Sequence, residues 1–373
     1  MLPTLNDFDF NNKTVIIRVD INSPLDPKTL RIMDNWRIKR IIPTLKELKE
    51  KNAKQILLAH QGRPHKWDFT SLKEHSIELS KLMNEEIKFV NDIYGEEAIR
   101  EIESLKKGEI LLLDNVRKCK EEMEKKEPEE HAKAEMIKKL SKYADAFVND
   151  AFAAAHRKHC SLLGFIPVLP SFAGRLLQRE IEMVEKLLKR VEKPRIFIFG
   201  GGKYENAIEV IKNLLVNEIA DKIILGGMPA NAFLIALGKM EGEIENPKYI
   251  KSIWSKFKNK ILLPIDTING KDIGKESIES FKEEIEKAKS IFISGPMGMF
   301  EEEKYRNGTK EILKAIAASN AFKMAGGGHT VAAINMFGLE KYFSYISTGG
   351  GSLERVLMGE KLPVVEALIK FKR

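Results

Sequence analysis

Short apolar runs alternate with longer amphipathic segments along the whole chain. The runs TVIIRV (14–19), QILLA (55–59), IKFV (87–90), EILLLD (109–114) and AFVND (146–150) predict strands in the first half. RIFIFG (195–200), KIILGG (222–227), ILLPID (261–266), SIFISG (290–295), FKMAGG (322–327) and YISTGG (345–350) predict them in the second. Between these runs, segments such as RIKRIIPTLKELKEK and AIEVIKNLLVN place apolar residues at helical spacing. A strand that is apolar along its length is buried on both faces, and strand–helix alternation supplies the helices that cover it. The pattern predicts two α/β domains with parallel sheets.

One long segment, SFAGRLLQREIEMVEKLLKRV (171–191), separates the halves. Leu177, Ile181, Val184, Leu188 and Val191 recur at four- and three-residue steps, which predicts a helix with one apolar stripe. It reads as a connecting helix, with an ordinary surface helix inside one domain as the alternative. The expected division is 1–170, a linker at 171–191, 192–350, and an amphipathic tail at 351–373 that docks back on the first domain. The charged run KCKEEMEKKEPEEHAKAE (118–135) reads as a solvated loop and helix start.

Composition narrows the function classes. With 373 residues the chain exceeds one ordinary core, and 43% hydrophobic with 31% charged residues fits a folded protein. The net charge of +8 raises nucleic acid as a partner, but Lys and Glu are intermixed along the chain, and a basic site for a small anion accounts for it as well. Two cysteines, Cys119 and Cys160, argue for a reducing cytoplasm and against a disulfide framework. No signal-peptide pattern or membrane-length apolar stretch is read, so neither a membrane nor a nucleic acid is an expected partner.

The residues that follow the strands carry the chemistry, because doubly wound sheets bind ligands beyond their carboxyl ends. In the first half these positions hold Arg18, Asp20 and Asn22; His60 and Arg63; Arg117; and His156, Arg157 and His159, with Arg37 at the start of a helix. Any one arginine could be a surface residue. Several guanidinium forks from separate strand ends make a pocket for a small polyanion. The histidines lack the spacing of a metal site.

In the second half the strand ends carry glycine: Gly200–Gly202 before Lys203, Gly226 and Gly227, Gly295 and Gly298 before Glu301, then AGGGHT and STGGGS. Turns use glycine everywhere, but five clusters at five strand ends suggest close approach to an anion, with helix N–H groups pointing at it. Neither a P-loop nor a dinucleotide fingerprint occurs, which disfavours a P-loop enzyme and a dehydrogenase. One half suits a compact anion and the other a nucleotide, an arrangement fit for phosphoryl transfer between two bound partners.

With these motifs assembled, the chain resembles the phosphoglycerate kinases from end to end. RVDINSPL, AHQGRP, LLLDNVR, VNDAFAAAHRKH, GGGKYENAIEVIKNLL, GPMGMFEEEKYRNGT and STGGG stand in that family's order and near its spacing. The resemblance implies two Rossmann-like doubly wound domains joined by a hinge helix. It implies reversible transfer of a phosphoryl group from 1,3-bisphosphoglycerate to ADP, giving 3-phosphoglycerate and ATP, in glycolysis and gluconeogenesis. Magnesium travels with the nucleotide, and no protein ligand to it is expected. The implied acid-substrate residues are Asp20, Asn22, Arg37, His60, Gly62, Arg63, Arg117 and Arg157. Lys203, Gly226, Gly227, Glu301, Gly327, Gly328, His329 and Thr330 are implied on the nucleotide side. Arg37 and Lys203 would stabilise the migrating group, and a cytoplasmic monomer is expected.

The chain also departs from the family pattern. His329 stands where most members carry an aspartate that helps hold the nucleotide's magnesium, and a hard cation prefers oxygen ligands. His329 is expected either to touch a phosphate oxygen, or to be accompanied by a shifted metal, or only to cap the helix beginning at Thr330. Ala207 replaces a second lysine, Ser294 an asparagine, and Ala153–Ala154 a Gly-Thr pair. A divergent, archaeal lineage with altered nucleotide preference accounts for these changes. The alternatives are a same-fold kinase for another acyl phosphate and a catalytically weakened binding protein.

Overall fold

The computed structural model describes residues 1–372. The chain forms two compact units: residues 1–181 with the segment from 361 onward, and residues 182–360.

The first unit is built on a six-stranded, wholly parallel sheet. Its strands are β1 (Thr14–Val19), β2 (Lys54–Leu58), β3 (Lys88–Phe89), β4 (Ile110–Leu112), β5 (Ala146–Asp150) and β6 (Ser171–Ala173), in the order β3-β4-β2-β1-β5-β6. Arg18 pairs with Leu58 on one side and Asn149 on the other, so three strands end at one level. Helix Trp36–Glu50 buries Ile38, Ile41, Leu45 and Leu48, the three- and four-residue steps of one face, in the core cluster that includes Val15, Ile17 and Val148. Each such side chain taken out of water contributes roughly 1.5–3 kcal/mol.

The second unit repeats the plan. Its strands are β7 (Arg195–Phe199), β8 (Lys222–Leu225), β9 (Ile261–Leu262), an antiparallel hairpin β10 (Thr267–Ile268) and β11 (Asp272–Ile273), then β12 (Ser290–Ser294), β13 (Phe322–Gly326) and β14 (Tyr345–Ile346). The main sheet runs β14-β13-β12-β7-β8-β9 and is parallel throughout. β7 is buried at every position, as its unbroken apolar run requires. The direction of winding reverses between β7 and β12, and the crevice at such a switch point is where these sheets bind ligands.

Four details differ from the sequence reading. The segment at 171–191 is not one helix: Ser171–Ala173 joins the sheet beside β5, the helix is Arg175–Glu185, and a π-helical turn occupies Lys186–Arg190. Asp150 Oδ1 accepts from the Leu177 N–H at 3.0 Å and fixes the helix start. The returning tail begins near 361 rather than 351, because helix Gly351–Leu357 is tied to the second unit. Asn206 Nδ2 donates to Glu354 Oε2 at 2.9 Å, and Asn213 Nδ2 to the Leu357 carbonyl at 2.8 Å. Helix Pro363–Lys370 is the part that returns, and its Val364 N–H donates to the Ala155 carbonyl. The run 118–135 is not simply solvated, since Glu122 and His131 are buried within it. Finally, β6, β10 and β11 are too short to show as apolar runs.

Candidate active site

The residues expected on the acid-substrate side are assembled at the carboxyl ends of β1, β2, β4 and β5. Arg18 and Asp20 alternate with inward apolar residues, so the period of a strand sends both to one face. Asp20 is nearly buried, and its Oδ2 accepts from Arg37 Nη1 at 2.6 Å while Oδ1 accepts from the Asn22 N–H at 3.1 Å. Asp20 therefore aims Arg37, which remains one-third exposed. Asn22 Oδ1 accepts from the Gly62 N–H at 2.9 Å, and the Gly62 carbonyl accepts from Arg117 Nη1. Gly62 has φ +65°, and a Cβ there would lie 2.3 Å from the Asp68 carbonyl oxygen, so only glycine closes this loop.

His60 is buried, with its Nδ1 3.0 Å from Arg18 Nη2. A guanidinium can only donate, so Nδ1 accepts and the ring proton sits on Nε2. Burial holds His60 far below the usual histidine range, helped by Arg18, Arg117 and Arg157. Burial also lowers Arg117 to about 10, followed in effect by the charges of Arg157 and Arg18. Arg157 is lowered first by burial; Asp20 opposes the shift, and Arg63 and Arg37 add to it. The arginines thus sense one another as like charges, with Asp20 and the buried Glu122 the carboxylates that oppose them. The structure brings every acid-side residue named from the sequence into this cluster.

The nucleotide-side residues sort differently. Gly200 and Gly295 cross backbone on backbone: a Cβ on Gly200 would lie 2.1 Å from the Pro296 carbonyl oxygen, and one on Gly295 2.1 Å from that of Gly200. The Gly226 N–H donates to Phe199 O and the Gly227 N–H to Met297 O, both at 2.9 Å. These two N–H groups join the loops after β7, β8 and β12 to one another and are not presented to an anion, as the sequence reading expected. Thr330 is also internal. It is buried, and its Oγ1 accepts from the Gly295 N–H at 2.7 Å.

Helix Gly328–Met336 begins two residues before Thr330, with Gly327 at its N-cap and φ +87°. His329 lies inside its first turn and is not a cap. The first N–H groups of a helix have no acceptor within it, and the space around Gly328 is open. His329 Nδ1 stands 3.3 Å from Glu301 Oε1, and both side chains are exposed. Lys203 is exposed on the loop between β7 and helix Glu205–Val216. Among the described residues, no three His, Cys, Asp or Glu side chains cluster as a metal site.

The sequence reading missed Glu122 and Ser161, which lie buried beneath Arg18. The alternation Arg18-x-Asp20-x-Asn22 was the available signal that Arg18 belongs to the site. The signal for Glu122 was absent, because its neighbours are almost all charged.

A doubly wound unit that gathers more cations than carboxylates at one sheet end, followed by one with a glycine-built helix entrance, defines a phosphotransferase for a small acid. The family profile described as phosphoglycerate kinase matches residues 5–272 and 267–360. A phosphoglycerate kinase of Methanothermus fervidus is 43% identical over 394 residues, covering 98% of this chain and 96% of that protein. One from Archaeoglobus fulgidus is 41% identical over 401 residues, covering 99% and 97%. The crystal structure of phosphoglycerate kinase from Pyrococcus horikoshii OT3 superposes with a TM-score of 0.93 at 37% identity, covering all of both chains. The chain belongs to the phosphoglycerate kinase family.

Proposed function

We propose that the first unit binds 3-phosphoglycerate or 1,3-bisphosphoglycerate, that the second binds ADP or ATP with its magnesium, and that a phosphoryl group passes reversibly between them. The observation that carries this is the crowding of Arg18, Arg37, Arg63, Arg117 and Arg157 around Asp20 at one end of a parallel sheet. Such a cluster costs free energy until a polyanion enters it. Phosphoglycerate carries charge at both ends and satisfies several forks at once.

In the direction of ATP use, a carboxylate oxygen of 3-phosphoglycerate attacks the γ-phosphorus. The bond from that phosphorus to the β-bridging oxygen breaks, and ADP leaves. In reverse, a β-phosphate oxygen of ADP attacks the acyl phosphate. No protein nucleophile is needed; alignment and charge stabilisation supply the rate. Arg37, aimed by Asp20, and Lys203 stabilise the equatorial oxygens of the migrating group. His60 donates from Nε2 to the acid substrate. Gly328 and the first turn of its helix offer N–H groups to nucleotide phosphates, and Glu301 holds the ribose. Magnesium, brought by the nucleotide, neutralises phosphate charge. Because each unit holds one substrate, transfer needs a movement that brings both into line and excludes water. A cytoplasmic monomer that uses neither nucleic acid nor a membrane fits this chemistry; no helix among the described residues is long and apolar enough to cross a membrane.

A coupled assay with 3-phosphoglycerate and MgATP tests the reading, with Lys203→Ala as control. Turnover in the native chain that falls by roughly 100-fold or more in the variant is expected. Absence of turnover, or turnover indifferent to Lys203, refutes it.

A further inference from the structure

Glu122 is fully buried in the turn Lys120–Met123, although the residues around it are almost all charged. Its Oε1 accepts from Ser161 Oγ and its Oε2 from the Ser161 N–H, each at 2.8 Å. Arg18 Nη2 stands 4.0 Å from Oε1, and His159 Nδ1 3.7 Å from it. The Ser161 hydroxyl in turn accepts from Arg18 Nε at 2.8 Å. Arg18 then donates through Nη2 to His60 Nδ1 at 3.0 Å, and through Nη1 to the Val19 carbonyl. One directed chain of donors and acceptors runs from the buried carboxylate, through a hydroxyl and a guanidinium, to the imidazole.

Resting on the acid-site reading above, we infer that Glu122 is a positioning residue for the acid substrate, acting through Ser161 and Arg18 to hold His60 as a neutral donor from Nε2. The chain leaves no freedom at either end. The Ser161 proton points to Glu122, so the hydroxyl's lone pair faces Arg18. Arg18 has only protons to give, so His60 Nδ1 must accept.

Charge explains why a carboxylate is needed. Arg18 is 1% exposed, and Arg157 adds to its like-charge surroundings. A buried cation stripped of its counter-charge is strongly destabilising. The groups facing Glu122 are Arg18 from β1, Arg117 from the turn Val116–Lys118, His159 and Ser161 at the start of helix Cys160–Leu163, and the buried thiols of Cys119 and Cys160. Burial pushes the Glu122 carboxyl up, while Arg18 and the two Ser161 bonds pull it back. On the far side His60 faces Arg18, Arg117, Arg157 and His159, none of which welcomes a second ring proton.

The test uses the full-length enzyme with Glu122→Gln and Ser161→Ala. The glutamine keeps the size and removes the charge; the alanine keeps the charge and removes the bridge. Expected for Glu122→Gln is a rise of roughly 10-fold or more in KM for 3-phosphoglycerate, with KM for MgATP within about 2-fold, the pattern of lost binding confined to one substrate. Ser161→Ala should move the same constant in the same direction by a smaller factor. Nitrogen NMR of the native enzyme should show His60 as a single Nε2–H tautomer from pH 5 to pH 8, and both variants should lose it. If Glu122→Gln does not fold, Ser161→Ala carries the test with the same readouts. Both KM values rising together, neither moving, or an unchanged His60 signal would overturn the inference. Any of these can occur in an enzyme that still turns over 3-phosphoglycerate, so the outcome is separable from the assay of function.

Discussion

Thr330 Oγ1 accepts the Gly295 N–H at 2.7 Å, joining the helix Gly328–Met336 to the loop that follows β12. The two strands before these segments pair in register, Ser294 opposite Gly326. The hydroxyl therefore sets the separation of two loops whose strands already run together. It places the helix entrance, and it satisfies a backbone donor in a loop that glycine forces close to Gly200.

Replacing Thr330 by valine should leave that donor without a partner. A loss of roughly 1 kcal/mol in stability is expected, toward the low end of the cost of an unsatisfied group because Gly295 is only part-buried. Thr330→Ser should recover most of it. Urea denaturation of the two variants checks this, alongside KM for MgATP, which should rise for valine and stay near native for serine. Equal midpoints for both variants would show that the hydroxyl has no such part.

Asp20 and Arg37 make a second prediction. The 2.6 Å contact aims a guanidinium that is one-third exposed, so Asp20→Asn should weaken 3-phosphoglycerate through a misplaced Arg37 rather than through a lost ligand contact. Arg37→Lys retains charge but not the fork, and should recover little of the activity lost in Arg37→Ala. Steady-state kinetics would show Arg37→Ala down by roughly 100-fold or more in kcat. A lysine variant near native turnover would mean that charge alone suffices.

The cationic cluster was legible in the sequence because each residue sits at a fixed offset from an apolar run, and strand period does the rest. The glycine clusters of the second unit were legible in place but not in role. Glycine clusters mark close approach, and sequence cannot say whether the approaching atoms belong to a ligand or to another loop. At Gly226 and Gly227 the neighbours are Phe199 and Met297 carbonyls. Glu122 was misread for a different reason: a run of charges looks solvated on average, and one buried member does not change the average. Asp272 was invisible too, since it lies on a two-residue strand of a hairpin that no apolar pattern announces.

His329 and Glu301 make the third prediction. Their side chains approach to 3.3 Å beside the open space at Gly328. His329→Asp would set two carboxylates against each other at that distance and would offer a magnesium-bearing nucleotide an oxygen ligand. Nucleotide affinity and the magnesium concentration needed for half-maximal turnover should both change. Titration of activity against free magnesium reads both. If neither moves, His329 does not touch the bound nucleotide.

Asp272 gives the last prediction, and its sign follows from burial. The side chain lies between Gly298 and Gly308, where a Cβ on either glycine would come within 2.3 Å of Oδ1. Oδ2 accepts the Gly308 N–H at 2.8 Å, while Oδ1 is buried without a partner. Burial is the leading cause that raises the carboxyl to about 6, against an ordinary 3.8, and the Gly308 bond only partly offsets it. A raised folded value means the folded chain holds its proton more tightly than the unfolded one. Stability from this group is therefore complete below about pH 3.8 and is lost as the pH rises through about 6. The change is on the order of 2–3 kcal/mol. Asp272→Asn carries no proton to lose. Denaturation midpoints measured from pH 4.5 to 7.5 should fall more steeply with rising pH in the native chain than in the variant. Parallel curves would show that Asp272 keeps an ordinary pKa, and that its unpartnered oxygen is hydrated.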